Sequence, residues 1–394
     1  MRRLTVLLAV PLLLVTATPA VAAGGRITEV TARVETPALY DDEAGGDADA
    51  DDPAIWVHPG DRRRSRVLAT AKNGGLRVYD LAGRETQAVA VPPGGRFNNV
   101  DLAGDLAVVT DRGRDQLRFY RIDRATSRLA DVTAAGVPFA FSADEAEVAL
   151  QRTAYGLGLW RDGRRLYAVV SRRSTPEVGI FEILDRGRAV TYRKVDGLTL
   201  PATFRLPDGT AWAPCADPGD GPQVEGTVVD AARGVAYLAQ EDVGLWRVPV
   251  ARGRFAGRPA SVERVREFGV PAAYDEATEE CVVDHSRDPG FGGRIAADVE
   301  GLTIARNTLV VSSQGDDTFY TYDRRSNRPL GRFAVVAGAR ADGSQECDGA
   351  AVTATPLPGF PGGLLVVHDG RETPDGDRPA TNFEFVDAGF LWRA

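Results

Sequence analysis

Hydrophobic positions in this chain fall in short runs separated by turn residues, and three such runs recur as a unit. Each unit opens on a polar or glycine-containing entrance that continues into an apolar run. These openings are DPAIWVHP (52–59), NNVDLAG (98–104), YGLGLW (155–160), EGTVVDA (225–231), EGLTIA (300–305) and DGAAVTA (348–354). A second run follows a turn: VLAT (67–70), LAVVT (106–110), LYAVV (166–170), AYLAQ (236–240), LVVSS (309–313) and LLVVH (364–368). After a polar loop comes a third: LRVYDL (76–81), QLRFYRI (116–122), VGIFEIL (178–184), GLWRVPV (244–250), FYTYD (319–323) and NFEFV (382–386). Runs this short, bounded by turn signals, predict antiparallel strands. Small antiparallel units repeated along a chain predict the blades of a propeller, here an all-β, six-bladed one. A fourth strand such as GRFAVVA (331–337) can follow most third strands, but the sixth unit runs out of chain. The segment RITEVTARVE (26–35) is therefore expected to join the last blade and close the ring, which protects its edges. A β-sandwich with irregular loops is the weaker alternative.

Composition agrees with a turn-rich globular fold: 43 Gly, 24 Pro and 43% apolar residues disfavour both a helical bundle and a disordered chain. The net charge of −8 argues against a nucleic-acid partner. Only Lys72 and Lys194 are lysines, so a lysine kept in this arginine background draws attention. Residues 1–23, MRRLTVLLAVPLLLVTATPAVAA, have the charged start, apolar stretch and small-residue end of a secretory signal. The expected product is a single secreted domain over 24–394, with no membrane segment after signal removal, and a monomer. Three cysteines (Cys215, Cys281, Cys347) without a CxxC pair, and three histidines, argue against a thiolate zinc site. One disulfide and one free thiol are expected. Cys215 and Cys281 both lie in long polar insertions and are the favoured pair, although the sequence leaves the pairing open.

In a propeller the innermost strands line a central channel. The loops entering them and the loops after the second strands open on one face. The entrances carry Asp49, Asp51, Asp52, Asn98, Asn99, Asp101, Tyr155, Glu225, Asp298, Glu300 and Asp348. The second loops carry Lys72, Arg112, Arg172, Arg173, Glu241, Asp242, Gln314, Asp316 and Asp369. Crowded carboxylates need cations to stay ionised. An Asp, Glu and Asn oxygen set suits calcium, and the neighbouring arginines suit phosphate. Any one of these carboxylates can equally be a turn former, but recurrence at equivalent blade positions sets the group apart. His58 reads as a packed strand end and His285 as solvated, while Glu145 and Glu147 receive no role.

These motifs resemble the β-propeller (alkaline) phytases. The matching stretches are DADADDPAIWVHP, TAKNGGLRVYDLAG, GRFNNVDL, YGLGLW, VEGTVVD, AQEDVGLW, ADVEGLTI, SSQGDDTFYTYDR, ECDGAAV and HDGRETP with TNFEFV, in order from about residue 49 to 386. The resemblance implies a six-bladed, calcium-dependent phosphoric monoester hydrolase of the 3-phytase type. Its substrate would be myo-inositol hexakisphosphate (phytate) or the calcium–phytate complex, with several calcium ions and two adjacent phosphate sites. By motif, Lys72, Arg112, Tyr155 and Arg173 would hold phosphates, with Asn73 and Arg172 beside them, and the choice between Arg172 and Arg173 is left open. Glu225, Asp298, Glu300 and Gln314 would hold calcium or the attacking water, Glu241 would join them, and Asp52, Asn99, Asp101 and Asp348 would belong to the wider calcium set. Direct attack of a metal-activated water is the implied mechanism. The chain departs from the family pattern at Asn73, where a second lysine is usual, at His368 and at Cys347. A calcium-dependent propeller lactonase and a non-catalytic binding propeller are the alternatives.

Overall fold

A computed structural model describes residues 26–392, apart from 279, 373 and 375; the leader at 1–23 lies outside the described residues. Six antiparallel sheets follow one another along the chain. Their innermost strands are Pro53–Trp56, Phe97–Ala103, Ala154–Asp162, Val224–Asp230, Val299–Ala305 and Ala350–Thr353. Each of these packs beside the next and the sixth packs beside the first, so the sheets close into a six-bladed propeller. The second strands explain why their runs read as continuously apolar rather than alternating. Leu106–Asp111 and Thr308–Ser313 are buried at every position, because a neighbouring blade covers each face. Buried clusters accordingly span adjacent blades: Val78 and Val109 between the first two, Phe119 and Phe181 between the next two.

Ring closure divides the N-terminal segment. Thr28–Val30 lies parallel to Pro329–Val335 on the outside of the fifth blade. The chain then crosses to the sixth blade, where Val34–Glu35 and Leu39–Tyr40 pair antiparallel with Ala380–Asp387. The expectation that 26–35 joins the last blade thus holds for its second half. The first half covers another open edge, that of blade five.

Two insertions rise beside the fourth blade. One holds the hairpin Phe204–Arg205 with Ala211–Trp212, the other Ala272–Asp275 with Glu280–Val283. The disulfide Cys215–Cys281 ties them together, with Cα atoms 5.9 Å apart. An aromatic cluster supports the pair: the Trp212 and Phe268 rings lie 4.6 Å apart, and Trp212 Nε1 donates to the Val270 carbonyl at 2.9 Å. Cys347 is the free, buried cysteine. His58 is buried as expected, its Nδ1 accepting from the amides of Gly60 and Asp61, and His285 is exposed. No described helix is long and apolar enough to cross a membrane.

Candidate active site

The site is built from one irregularity repeated around the ring. In four inner strands the register slips by a residue, between Phe97 and Val100, Ala154 and Leu157, Val224 and Thr227, and Val299 and Leu302. Such bulges re-aim a side chain. The residues set there are Asn98, Tyr155, Glu225 and Glu300. In the first and sixth blades, pairing of Pro53 with Ala69 and of Ala350 with Val367 brings Asp51 and Asp348 to the same position. Asp51, Asn98, Tyr155, Glu225, Glu300 and Asp348 therefore form an inner circle at the mouth of the channel. Glycine follows at Gly156, Gly226, Gly301 and Gly349, where the next blade approaches closely. A Cβ on Gly156 would stand 2.0 Å from the Glu225 carbonyl, and one on Gly226 2.1 Å from that of Glu300.

A second circle comes from the loops after the second strands. The strand ladders place Lys72, Arg112, Arg173, Glu241, Gln314 and Gly370 at one equivalent position. Cations thus occupy blades one to three, and Glu241 and Gln314 blades four and five. The same ladders separate Arg172 from Arg173. Arg172 pairs with Ala154 inside the sheet and sends its guanidinium to Glu177 (3.2 Å) and the Arg152 carbonyl (2.8 Å). Arg173 takes the rim position, close enough to Arg96 for the two charges to interact.

Glu225 links the halves. Its Oε1 accepts from Asn98 Nδ2 at 2.7 Å, and its Oε2 accepts from the Tyr155 hydroxyl. Arg112 donates to Asn98 Oδ1 at 2.7 Å and lies over the Tyr155 ring. Glu225, Glu241 and Glu300, all buried, offer carboxylate oxygens that lie within 4.8 Å of one another. Glu241 Oε1, Glu300 Oε2 and Asp51 Oδ1 are buried with no hydrogen-bond partner. Burial raises the pKa of all these carboxyl groups, and their neighbours add to it: Asp348 acts on Glu225, Asp298 on Glu241, Glu241 on Glu300 and Glu225 on Asp51. Asp298 is raised by burial and then by Asp242. The Gln314 amide donates to the Asp298 carbonyl at 2.9 Å, and its Nε2 donates to Asp348 Oδ1 at 2.7 Å. Burial opposes the Lys72 charge, but Asp51, Asp348 and Asp49 outweigh it and hold the ammonium above its usual range. His368 is held low, near 3, by burial and Lys72, and its Nδ1 accepts the Asp348 amide at 3.0 Å.

A polarised rim of this kind, three cations facing three glutamates across a propeller mouth, has the charges a phosphate ester needs. The sequence model of the phytase family matches residues 2–391. The chain belongs to the phytase family. A 3-phytase of Bacillus subtilis (strain 168) is 30% identical to this phytase-family chain over 379 residues, covering 91% of it and 83% of the relative. Solved structures that resemble it include the calcium-binding protein regucalcin from Agrobacterium tumefaciens str. C58, at 12% identity and a TM-score of 0.47, covering 92% of this chain and 97% of that one. The WD40 repeats of RRP9 match at 12% identity and a TM-score of 0.45, covering 91% and 99%.

Not every sequence-derived candidate of this phytase-family chain reaches the rim. Asp52, Asn99 and Asp101 line a channel of about 460 Å³ below it. Asp52 accepts from the Val100 amide at 3.0 Å, and Asp101 from those of Leu102 and Leu159 at 2.6 and 2.7 Å, so both knit neighbouring blades. Asn99 Oδ1 accepts from Asn98 at 2.8 Å. Asn73 is committed to a loop, donating Nδ2 to the Gly46 carbonyl at 2.8 Å. Asp51 and Asn98, named from the sequence only as entrance residues, stand in the inner circle instead. Their signal was alignment of the six openings on the second residue before the apolar run. A second acidic group, Glu35, Asp342, Asp369, Glu372 and Glu384, lies at the sixth blade. Asp369 Oδ2, Glu384 Oε2 and Asn382 Oδ1 there are buried without a hydrogen-bond partner. Most of this group was not singled out from sequence, because its members come from three separate strands, Val34–Glu35, Leu364–Glu372 and Ala380–Asp387, and from the loop that carries Asp342.

Proposed function

We propose that the chain is a secreted, calcium-dependent phytase that removes phosphate from myo-inositol hexakisphosphate, working as a monomer with one catalytic domain over 24–394. The observation that carries this reading is the polarised double circle, with unpaired, buried carboxylate oxygens on one side and Lys72, Arg112 and Arg173 on the other. The carboxylate half fits a hard cation: its donors are all oxygen, and two oxygens of the Glu225, Glu241 and Glu300 group lack partners. Glu225, Glu241, Glu300, Asp51, Asp298 and Asp348 would hold calcium, and the group around Asp369 suits a further ion. Calcium, when bound, supplies positive charge between carboxylate and phosphate oxygens and makes water easier to deprotonate.

The protein's own groups account for the remaining steps. Lys72, Arg112 and Arg173 bind the phosphate to be cleaved and offset the charge that builds on its oxygens. Asn98 and Tyr155 hold the Glu225 carboxylate by two hydrogen bonds and fix its direction. Glu225 takes a proton from the attacking water. The new P–O bond forms as the bond to the inositol oxygen breaks, and that oxygen leaves with a proton from solvent. The products are inorganic phosphate and an inositol pentakisphosphate.

The test is phosphate release from calcium phytate by the purified protein, with lactone hydrolysis followed in parallel. Release without lactonase activity is expected. Lactone hydrolysis with no release would contradict the reading.

A further inference from the structure

Because the blades are antiparallel, their loops from first to second and from third to fourth strands open on the face opposite the rim. In blades one to five every one of these loops except 104–105 carries arginine, and blade one has three in a row, Arg62–Arg64. The chain is acidic overall, with a net charge of −8, so these cations are gathered against its charge. Carboxylates beside them are engaged. Asp61 pairs with Arg63 at 3.0 Å and Asp230 with Arg324 at 3.2 Å, while Asp123 and Asp323 accept backbone amides in their own turns. Arg164, Arg186, Arg188, Arg252, Arg325 and Arg328 are exposed and form no ion pair among the described residues.

An apolar edge adjoins this ring of charge. The C-terminal turn Ala388–Trp392 follows the third strand of blade six onto the same face, where Trp392 Nε1 donates to the Gly362 carbonyl at 3.0 Å. With blade five it bounds a cleft of about 530 Å³ lined by Leu330, Phe333, Phe390, Leu391 and Trp392. The Arg306 guanidinium lies over the Trp392 ring, 4.9 Å from its centre. Leu330 is 57% exposed, and Ile27, next to Thr28 in the cleft wall, is 36% exposed. An arginine and a tryptophan beside exposed aliphatic groups match the boundary between headgroups and hydrocarbon in a bilayer. Cations spread over five blades suit a plane of anions, whereas a single anion needs them clustered and a linear polymer needs them in line.

We propose that the face opposite the rim docks on an anionic lipid bilayer, with its arginines on phosphate headgroups and the edge formed by Leu330 and Trp392 at headgroup depth. The contact is peripheral and made by loops. The acidic rim does not cancel it. A six-residue strand such as Leu106–Asp111 puts about 20 Å between the two faces, more than the roughly 8 Å over which physiological salt screens a charge. Docking this way leaves the rim turned to solvent and open to a dissolved substrate. The inference does not depend on what the rim hydrolyses.

The test is co-sedimentation of the chain over 24–394, which holds every described element, with vesicles at fixed free calcium. The vesicles are phosphatidylcholine alone or phosphatidylcholine with about 30% phosphatidylglycerol. Wild type should bind the anionic vesicles about tenfold or more tightly than the neutral ones, and the binding should weaken as salt rises. Arg188→Glu with Arg325→Glu should cut it by about tenfold or more. Arg205→Glu with Arg287→Glu, the same charge change in the insertions on the rim side, should leave it within about twofold. Leu330→Ser should weaken it about threefold without altering its salt dependence. The substituted side chains are exposed, and thermal melts check that each variant folds. No preference for anionic vesicles, or equal losses from the two double variants, would overturn the proposal. Unchanged binding in Leu330→Ser would also overturn it, because a soluble polyanion would then be the better occupant.

Discussion

Glu225 joins the two halves of the rim, since it accepts from Asn98 and Tyr155 and lies among the other buried carboxylates. Glu225→Gln keeps the shape and removes the charge. It should cut kcat at least tenfold, about 1.4 kcal/mol of barrier, without lowering the melting temperature. Near-normal turnover at saturating calcium would place Glu225 among the structural residues. The two adjacent arginines give a sharper contrast. Arg173→Ala should lower phosphate release by tenfold or more. Arg172→Ala should leave kcat within about threefold and cost stability, because it breaks a half-buried pair with Glu177. Steady-state kinetics and thermal melts of both variants decide between them, and the reverse pattern would refute the rim assignment. From the sequence this choice stayed open, because a one-residue offset is invisible without the strand register. Asp51 was hidden for a similar reason. It neighbours Asp52, and only the ladder shows which of the two faces the rim and which faces the channel.

Among the elements, the blades were the most legible, because second strands covered on both faces read as unbroken apolar runs. The N-terminal strands were less so. A segment such as 26–35 carries the pattern of a strand but no mark of the two edges it serves, one in each of the last two blades. The disulfide Cys215–Cys281, open as a pairing in the sequence, closes a separation of 66 residues between insertions that flank the fourth blade. Loop-closure entropy sets its contribution at about 4 kcal/mol at most. Cys215→Ser with Cys281→Ser should lower the melting temperature and leave kcat within about twofold, because the rim is carried by inner strands and second-strand loops. Calorimetry with parallel kinetics measures both. A tenfold loss of kcat in a still-folded variant would mean that the insertions hold the rim in place.

For the whole molecule, the controlling feature is carboxylate charge gathered at two places in an acidic chain. Burial raises Asp348 to about 6, Asp369 to about 7 and Glu384 to about 8. Each keeps its proton in the folded state at a pH where the unfolded chain, with carboxyl groups near pH 4, has lost it. Without a cation, stability should therefore be fullest below about pH 4 and fall as pH rises through 6 to 8. Calcium bound by the ionised carboxylates should reverse that slope, so the rise in melting temperature on adding calcium should grow from pH 5 to pH 8. A calcium effect that is flat or shrinks with pH would contradict this. On the proposed function the same ions would make an acidic rim attractive to an anionic substrate, which would join stability and catalysis in one requirement. The most direct test is the rate of phosphate release from phytate as free calcium is titrated from chelated to saturating levels. A calcium-dependent rim should give no release in chelator, a rise with calcium to a plateau, and full recovery when calcium is restored. Release that is unchanged by chelation would contradict it.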